Sequence, residues 1–554
     1  MKVNLAARQS LDGAFSALRR ERLPWWHAWR ELAEYYIPKR YLWLTSSNER
    51  KNYVGKNSTI LDGTGTRAAR VLAAGMMNGI TSPSSPWVRL RIPGVDDDLD
   101  HEAVVWLDEV TRRMLQILAE SNFYNTMAVL YIDLVVFGTG AMLLYEDRES
   151  VIRCYNSALG EYYLGMDDRL AVNRFAREFV YTVEQLVSRW GIENVCESTK
   201  LKYKQGGASL LDTVTVGHMI EPNADRKYAL SKDFKYREVY WEVAGNEKDY
   251  VLDVRGYYEL PGIFPRWELT GNDAYGTCPG MDALGDVIQL QHETRRKAQA
   301  LDYIVRPPMQ MDAALQSRPP SILPGSTTFV PGQSAIGIKP IFQVAPPLGE
   351  ISADLKDIQF RIQNTFHNDL FQMISQLETV RTATEIDARR EEKLIQLGPV
   401  LERFHNEALS PALRRVFAIM ERQGLLPEAP ESIANMDIEI QFVSILAAAQ
   451  TAVRVAPTER LLQLVGNLAE IFPGVRDLPD EDELVRDYAR DIGVKAKGLR
   501  SRDQVAERRQ AAQEAEAGQQ AAAMAQPVAQ SAKLLSETDV GGGANALAAM
   551  LGGS

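Results

Sequence analysis

The sequence predicts an α+β chain that is mainly α. Two observations carry this: long stretches on both sides of the middle repeat apolar residues at helical spacing, and one block, Gly140 to about Leu260, switches to short β-branched and aromatic runs. A third lies between Gly280 and Leu426, which reads as helix, proline-rich connector, helix, very short loop and long bent helix. That order holds no catalytic constellation and suits a protein that works by shape.

Residues Leu5 to about Ile37 are expected to be helical, with Trp25, Trp29, Leu32 and Tyr36 on one stripe and Pro38 ending it. Aromatic side chains at this spacing read as packing rather than as a ligand box. A second helix runs from Thr59 to Gly79, a serine-proline loop follows, and two more helices cover about Asp100 to Glu120 and Phe123 to Phe137. Strands are then expected at Ala141 to Tyr145, Val214 to Val216 and Tyr236 to Trp241, with one helix near Thr182 to Trp190 between them.

In the middle segment, Met281 to Val305 repeats Val287, Leu290, Thr294, Leu301 and Ile304 at helical intervals until Arg306-Pro307-Pro308 stops it. Residues 306–347 alternate Pro-Gly turns with runs such as Thr327 to Val330 and Ile336 to Ile338, a module of short strands and turns. The next helix, 348–374, carries Leu355, Ile358, Ile362, Phe366, Leu370 and Met373 on one face. Each of these helices would be roughly 30–35 Å long at 1.5 Å per residue. Thr382 and Glu385 have the spacing of a capping box, so a new helix starts there. Gly398-Pro399 and Pro411 are expected to bend or break it. Asp437 to Val443 reads as a strand and Ser444 to about Val494 as several helices. Beyond Arg500 an Ala/Gln-rich stretch gives way to a glycine-containing end with the composition of disorder.

A chain of 554 residues exceeds one compact core and should divide into modules. No run approaches the length of a membrane span, and no secretory leader is visible at the start, which points to a cytoplasm-like compartment. Cys154, Cys196 and Cys278 are widely spaced and read as ordinary thiols. Gly271 to Gly276 has phosphate-loop spacing, but Thr277 stands where a lysine is needed. Asp62-Gly63-Thr64-Gly65-Thr66 reads as the start of a helix rather than a dinucleotide fingerprint, and Asp96-Asp97-Asp98 as a solvated loop. The six histidines show no paired-ligand spacing. Neither a metal, a cofactor nor a catalytic residue is expected. The net charge of −11 argues against a general nucleic-acid clamp.

Three stretches resemble a known family. They are Arg22 to Arg40 (RLPWWHAWRELAEYYIPKR), Ser58 to Pro93, and Arg381 to Phe404 (RTATEIDARREEKLIQLGPVLERF), in that order. Together they are similar to portal proteins, the head-to-tail connectors of short-tailed bacteriophages. The resemblance implies the portal fold of wing, stem, clip and crown, assembled as a ring of 12 subunits at one capsid vertex. Double-stranded DNA would pass through without sequence specificity. It also implies docking of the terminase large subunit and tail adaptor, contact with major capsid or scaffolding protein, and no membrane. The chain would be assembled in the host cytoplasm and kept in the virion.

On that resemblance, residues 1–280 are the wing, 281–305 and 348–374 the stem helices and 306–347 the clip. Residues 382–443 form the long kinked helix and wing return, 444–500 the crown, and 501–554 a tail with a candidate barrel helix and a disordered end. Ser375, Gln376, Leu377, Glu378, Thr379, Val380 and Arg381 would be the tunnel loop facing DNA, its end fixed by the Thr382/Glu385 cap. Arg295, Arg296 and Arg361 would be inter-subunit ion-pair partners. Rival readings are another virion ring or adaptor protein, or an enzyme with a site in residues 140–275.

Overall fold

The structure is a computed structural model. It describes residues 5–44, 60–92, 101–226, 234–243, 251–306, 309–310, 339–340, 347–369, 397–433, 438–442 and 504–515, with a few isolated positions beyond. It mixes helices and strands, with helix predominating. Two compact units form. The larger gathers Met1–Arg91, Val110–Pro427 and Glu439–Ala456, and the smaller Ile92–Glu109, Glu428–Ile438 and Pro457–Ser554.

The first expected helix is two: α1 (Leu5–Arg22) and α2 (Trp25–Tyr36). The break falls at Leu23-Pro24, because a proline cannot donate to the preceding turn and tolerates only a helix start. Trp29, Leu32 and Tyr36 are fully buried, as the stripe predicts, and the Trp29 ring stands edge-on to Tyr275 at 5.0 Å. The next helix, α3 (Thr64–Ile80), begins later than expected, where Asp62 accepts from the Thr64 backbone N–H at 2.8 Å. The Asp62 to Thr66 turn is therefore a helix start.

Strand β1 (Val88–Arg91) was not anticipated. It pairs antiparallel with residues Glu439–Phe442, so a segment late in the chain returns to an early one. α4 (His101–Glu120) and α5 (Phe123–Phe137) lie where periodicity puts them. α5 is largely buried, with Asn125, Ala128 and Val129 on an exposed face, and it ends at Gly138 with φ of +76°. A Cβ there would meet the Gly276 carbonyl oxygen at 2.0 Å, so only glycine fits. Buried Asp133, inside α5, receives Arg40 at 2.8 Å. Among the described residues no helix is long and apolar enough to cross a membrane.

The strand-rich block holds β2 (Met142–Asp147), β3 (Val151–Asn156), β4 (Tyr162–Met166) and β5 (Val172–Thr182). α6 (Val183–Trp190) and α7 (Glu197–Gln205) follow, then β6 (Thr213–Pro222), β7 (Tyr236–Glu242), β8 (Asp253–Tyr257) and β9 (Gly262–Ile263). β4 to β8 form a five-stranded antiparallel sheet in sequence order, and β3-β2-β9 a smaller one. Alternation along β7 separates the two faces of the larger sheet. Val239 and Trp241 pack with Leu11, Phe15 and Leu18 of α1, whereas Tyr240 packs with Leu186 and Trp190 of α6. Opposite Trp241 in register stands Gly217, whose absent side chain leaves room for the indole 2.5 Å from a would-be Cβ.

α8 (Leu284–Val305), β10 (Met309–Gln310), β11 (Lys339–Pro340) and α9 (Leu348–Thr365) follow. The helix expected over 348–374 is interrupted after Thr365 by a turn at Phe366-His367; Asn368 and Asp369 are helical again, and 370–374 lie outside the described residues. Its stripe stays buried through Leu355, Ile358, Ile362 and Phe366, and the break falls where His367 adopts φ of +50°. Residues 397–404 are helical, lead through a π turn at His405–Leu409, and continue as α10 (Ser410–Arg422). Pro411 therefore does not break this helix. The Ser410 N–H bonds back to the His405 carbonyl, and the wider turn absorbs the proline's missing donor and bulky ring. Glu407 on the π turn takes both the backbone N–H (2.9 Å) and Nη2 (2.7 Å) of buried Arg266, whose Nη2 also reaches the Leu170 carbonyl at 2.8 Å. The last described strand of the larger unit, β12 (Glu439–Phe442), lies inside the expected Asp437 to Val443.

In the smaller unit the described residues include the first half of α4, a short turn at Glu431–Ile433, and helical residues 504–515, the last nearly all exposed.

Candidate functional site

α8 and α9 lie side by side and antiparallel. Asp286 near the start of α8 pairs with Arg361 near the end of α9 at 2.9 Å, while Lys297 further along α8 donates to Ser352 near the start of α9 at 2.9 Å. As one number rises the other falls. Both polar contacts reach solvent, so they fix register more than they stabilise.

The root of this pair is buried and polar at one point. Gln291 on α8 accepts from the backbone N–H of Leu61 (2.7 Å) and of Asp62 (2.9 Å), and returns a bond to the Asp62 carbonyl at 2.9 Å. Gln359 on α9 donates to the Asp62 carboxylate at 2.7 Å. Burial by itself would raise the Asp62 carboxyl, but hydrogen bonds from Thr64 and Gln359 outweigh it and hold the group lower than usual. A single turn ahead of α3 thus grips both helices. Around it sit Val287, Leu290, Leu355, Ile358 and Ile362, all buried.

Away from that root the helices lose their cover. Leu301 and Ile304, which share a stripe with Val287 and Leu290, are 40% and 43% exposed, and Val305 is 74% exposed; Phe360, on the outer face of α9 beside Gln359, is 63% exposed. The apolar stripe of α8 outlasts the core that α8 packs on. Just past α8, Met309 pairs with Pro340 and Gln310 with Lys339, so the chain leaves the helix pair and returns to it at one place.

The loop residues Ser375, Gln376, Leu377, Glu378, Thr379, Val380 and Arg381 and the cap at Thr382 and Glu385 lie outside the described residues. Of the three arginines singled out by sequence, Arg361 has its carboxylate partner within the chain, on Asp286. Arg295 and Arg296 are exposed on α8, with no ion pair among the described residues. Sequence reasoning missed Gln291, Gln359 and Asp62 as a set. A glutamine on the buried stripe of an otherwise apolar helix was the available signal.

Among the described residues no group of His, Cys, Asp or Glu is placed to hold a metal ion. All three cysteines are free and buried, and burial pushes the thiols of Cys154 and Cys278 up to about 12.

The family described as bacteriophage head to tail connecting protein matches residues 8–499, most of the chain. This chain belongs to that family. It is 38% identical over 539 residues to the portal protein of Salmonella phage epsilon15, with 96% of each chain covered. It is also 39% identical over 505 residues to the probable portal protein of Bordetella phage BPP-1, covering 90% of each. The family is structural, and the antiparallel pair α8 and α9 belongs to the region whose order first suggested it.

Proposed function

We propose that this chain is the portal subunit of a phage head. Copies of it, 12 on the family resemblance, close into a ring at one vertex and form the channel for double-stranded DNA. The observation that carries this reading is the α8/α9 pair in a chain of the connector family, rooted at Asp62 and leaving Leu301, Ile304, Val305 and Phe360 exposed. A closed ring joins one face of each subunit to a different face of the next, and helices flanked on both sides need apolar surface beyond their own core.

In this reading residues 1–280 form the wing, α8 and α9 the stem, 306–347 the clip, and 444–500 the crown. The clip docks the terminase large subunit and later the tail adaptor, while outer surfaces meet major capsid or scaffolding protein. Arg295 and Arg296 face the neighbouring subunit; Arg361, besides holding Asp286, lies on an exposed surface available to it. Residues 375–381 act as a movable constriction with one acid and one base, and deleting 376–380 is expected to impair packaging or retention of DNA.

The charge suits a conduit. Each phosphate neutralised by the wall releases counterions and adds affinity, so a strongly basic lining would stall the duplex. A subunit of net charge −11 keeps contact weak. Negative-stain electron microscopy of the purified chain tests the proposal: rings with a central hole are expected, and monomers at working concentration would overturn it.

A further inference from the structure

A cleft of about 720 Å³ opens between the five-stranded sheet, the β2–β3 hairpin and α10. Its wall is unusual for a chain of net charge −11, because six arginines and six tyrosines line it against four carboxylates.

Those carboxylates are already engaged. Glu238 accepts from His218 (2.7 Å), Tyr257 (2.8 Å) and Tyr240 (2.9 Å), Glu259 from Arg415 and Arg422, Glu146 from Arg422, and Asp147 from Ser150. The cations are not equally matched. Arg153 is exposed and makes no ion pair among the described residues, and Arg177 spends its Nε on His218 Nδ1 at 2.9 Å with no carboxylate partner. Arg415, 2% exposed, keeps Nη2 buried without a hydrogen-bond partner. Arg415 is paired with Glu259 and sealed from solvent, so Arg153 and Arg177 are the cations left for something outside the chain to complement.

The rim adds aromatic surface. Tyr155, Phe234 and Tyr258 are 47%, 42% and 49% exposed, with the Phe234 and Tyr258 rings 4.8 Å apart. Exposed aromatics interleaved with arginine make up the energetic centres of protein interfaces. Nucleic acid fits less well, because an unbroken row of phosphates needs a row of free cations and Arg153 and Arg177 are two.

We propose that this cleft docks an acidic, aromatic-bearing peptide segment of another protein, its carboxylates on Arg153 and Arg177 and its ring against the exposed aromatics. The site lies within one chain and holds whether or not that chain closes into a ring.

The test is fluorescence anisotropy on the full chain with a labelled peptide of Glu-Glu-Tyr repeats, a Lys-Lys-Tyr counterpart and a labelled oligo-dT. The acidic peptide is expected to bind and the basic one not. Arg153→Glu, at an exposed position, should weaken binding about tenfold or more, roughly the value of one close charge pair. Arg153→Lys should retain it, and Tyr155→Ser with Tyr258→Ser should weaken it without changing the circular dichroism spectrum. Equal binding of the basic peptide, no effect of the charge reversal, or no binding at millimolar peptide would overturn the proposal. So would oligo-dT that outcompetes the acidic peptide, since the cleft would then be a nucleic-acid site.

Discussion

At the level of single side chains, burial governs the protonation of His218. Arg177 Nε donates to its Nδ1, so Nε2 carries the proton and donates to Glu238. Burial lowers the imidazole to about 4, against the pull of Glu238, while hydrogen bonds from His218, Tyr257 and Tyr240 overcome burial and bring Glu238 down to about 2. His405, stacked on Phe442 at 4.1 Å, is likewise lowered by burial to about 4. In each histidine the folded pKa lies below the unfolded 6.5, so the unfolded chain takes up the proton first. Their contribution is complete above pH 6.5 and is lost as pH falls toward 4. Asp133 acts in the opposite sense, because burial raises it to about 6 and its share of stability declines as pH rises from 3.8 to 6. The readable quantity is thus a difference. His218→Gln is expected to flatten the pH 6.5 to 4 slope of unfolding free energy by about 1.4 kcal/mol per pH unit. Denaturant titrations along that range measure it, and identical slopes in the two proteins would refute the assignment. Sequence made Trp29, Leu32 and Tyr36 legible as core, because spacing alone fixes a helix face. It could not pair Asp286 with Arg361, since that depends on how two helices are phased.

Among the elements, the grip on Asp62 offers the sharpest test. Gln291→Leu keeps bulk but leaves the backbone N–H groups of Leu61 and Asp62 without their acceptor. A loss of about 2–4 kcal/mol is expected, together with faster amide exchange over residues 60–66. Unchanged exchange there would mean that water replaces the side chain without cost. Element identity was largely readable: α4, α5, α6, α8 and β12 lie where periodicity and turn residues put them. Ends were less so. α9 breaks at Phe366-His367 inside the expected span, because a backbone in the left-handed region interrupts the side-chain pattern before Asn368 and Asp369 turn helical again. At Pro411 the expected disturbance takes the form of a π turn without a break, a form that a count of residues per turn does not reveal. β1 was hidden for a third reason. Its four residues gain a partner only from β12, some 350 positions later in the chain.

For the whole molecule, exposed apolar surface on the helix pair predicts self-association. Ile304→Glu with Phe360→Glu, both on exposed positions, should lower the assembled mass measured by light scattering while leaving the helical content unchanged. Rings that persist in this double variant would place the subunit interface elsewhere. The family was legible from three stretches of sequence, but the composition of the two compact units was not. Each unit is drawn from segments far apart in the chain, and local pattern carries no record of which distant pieces meet. The pairing of Met309–Gln310 with Lys339–Pro340 has one more implication. The insertion between them begins and ends at neighbouring points, and the entropy of closing it grows only with the logarithm of its length. Evolution, or an engineer, is then free to exchange that cassette for another of different size and recognition, and so to refit the same scaffold to a new partner.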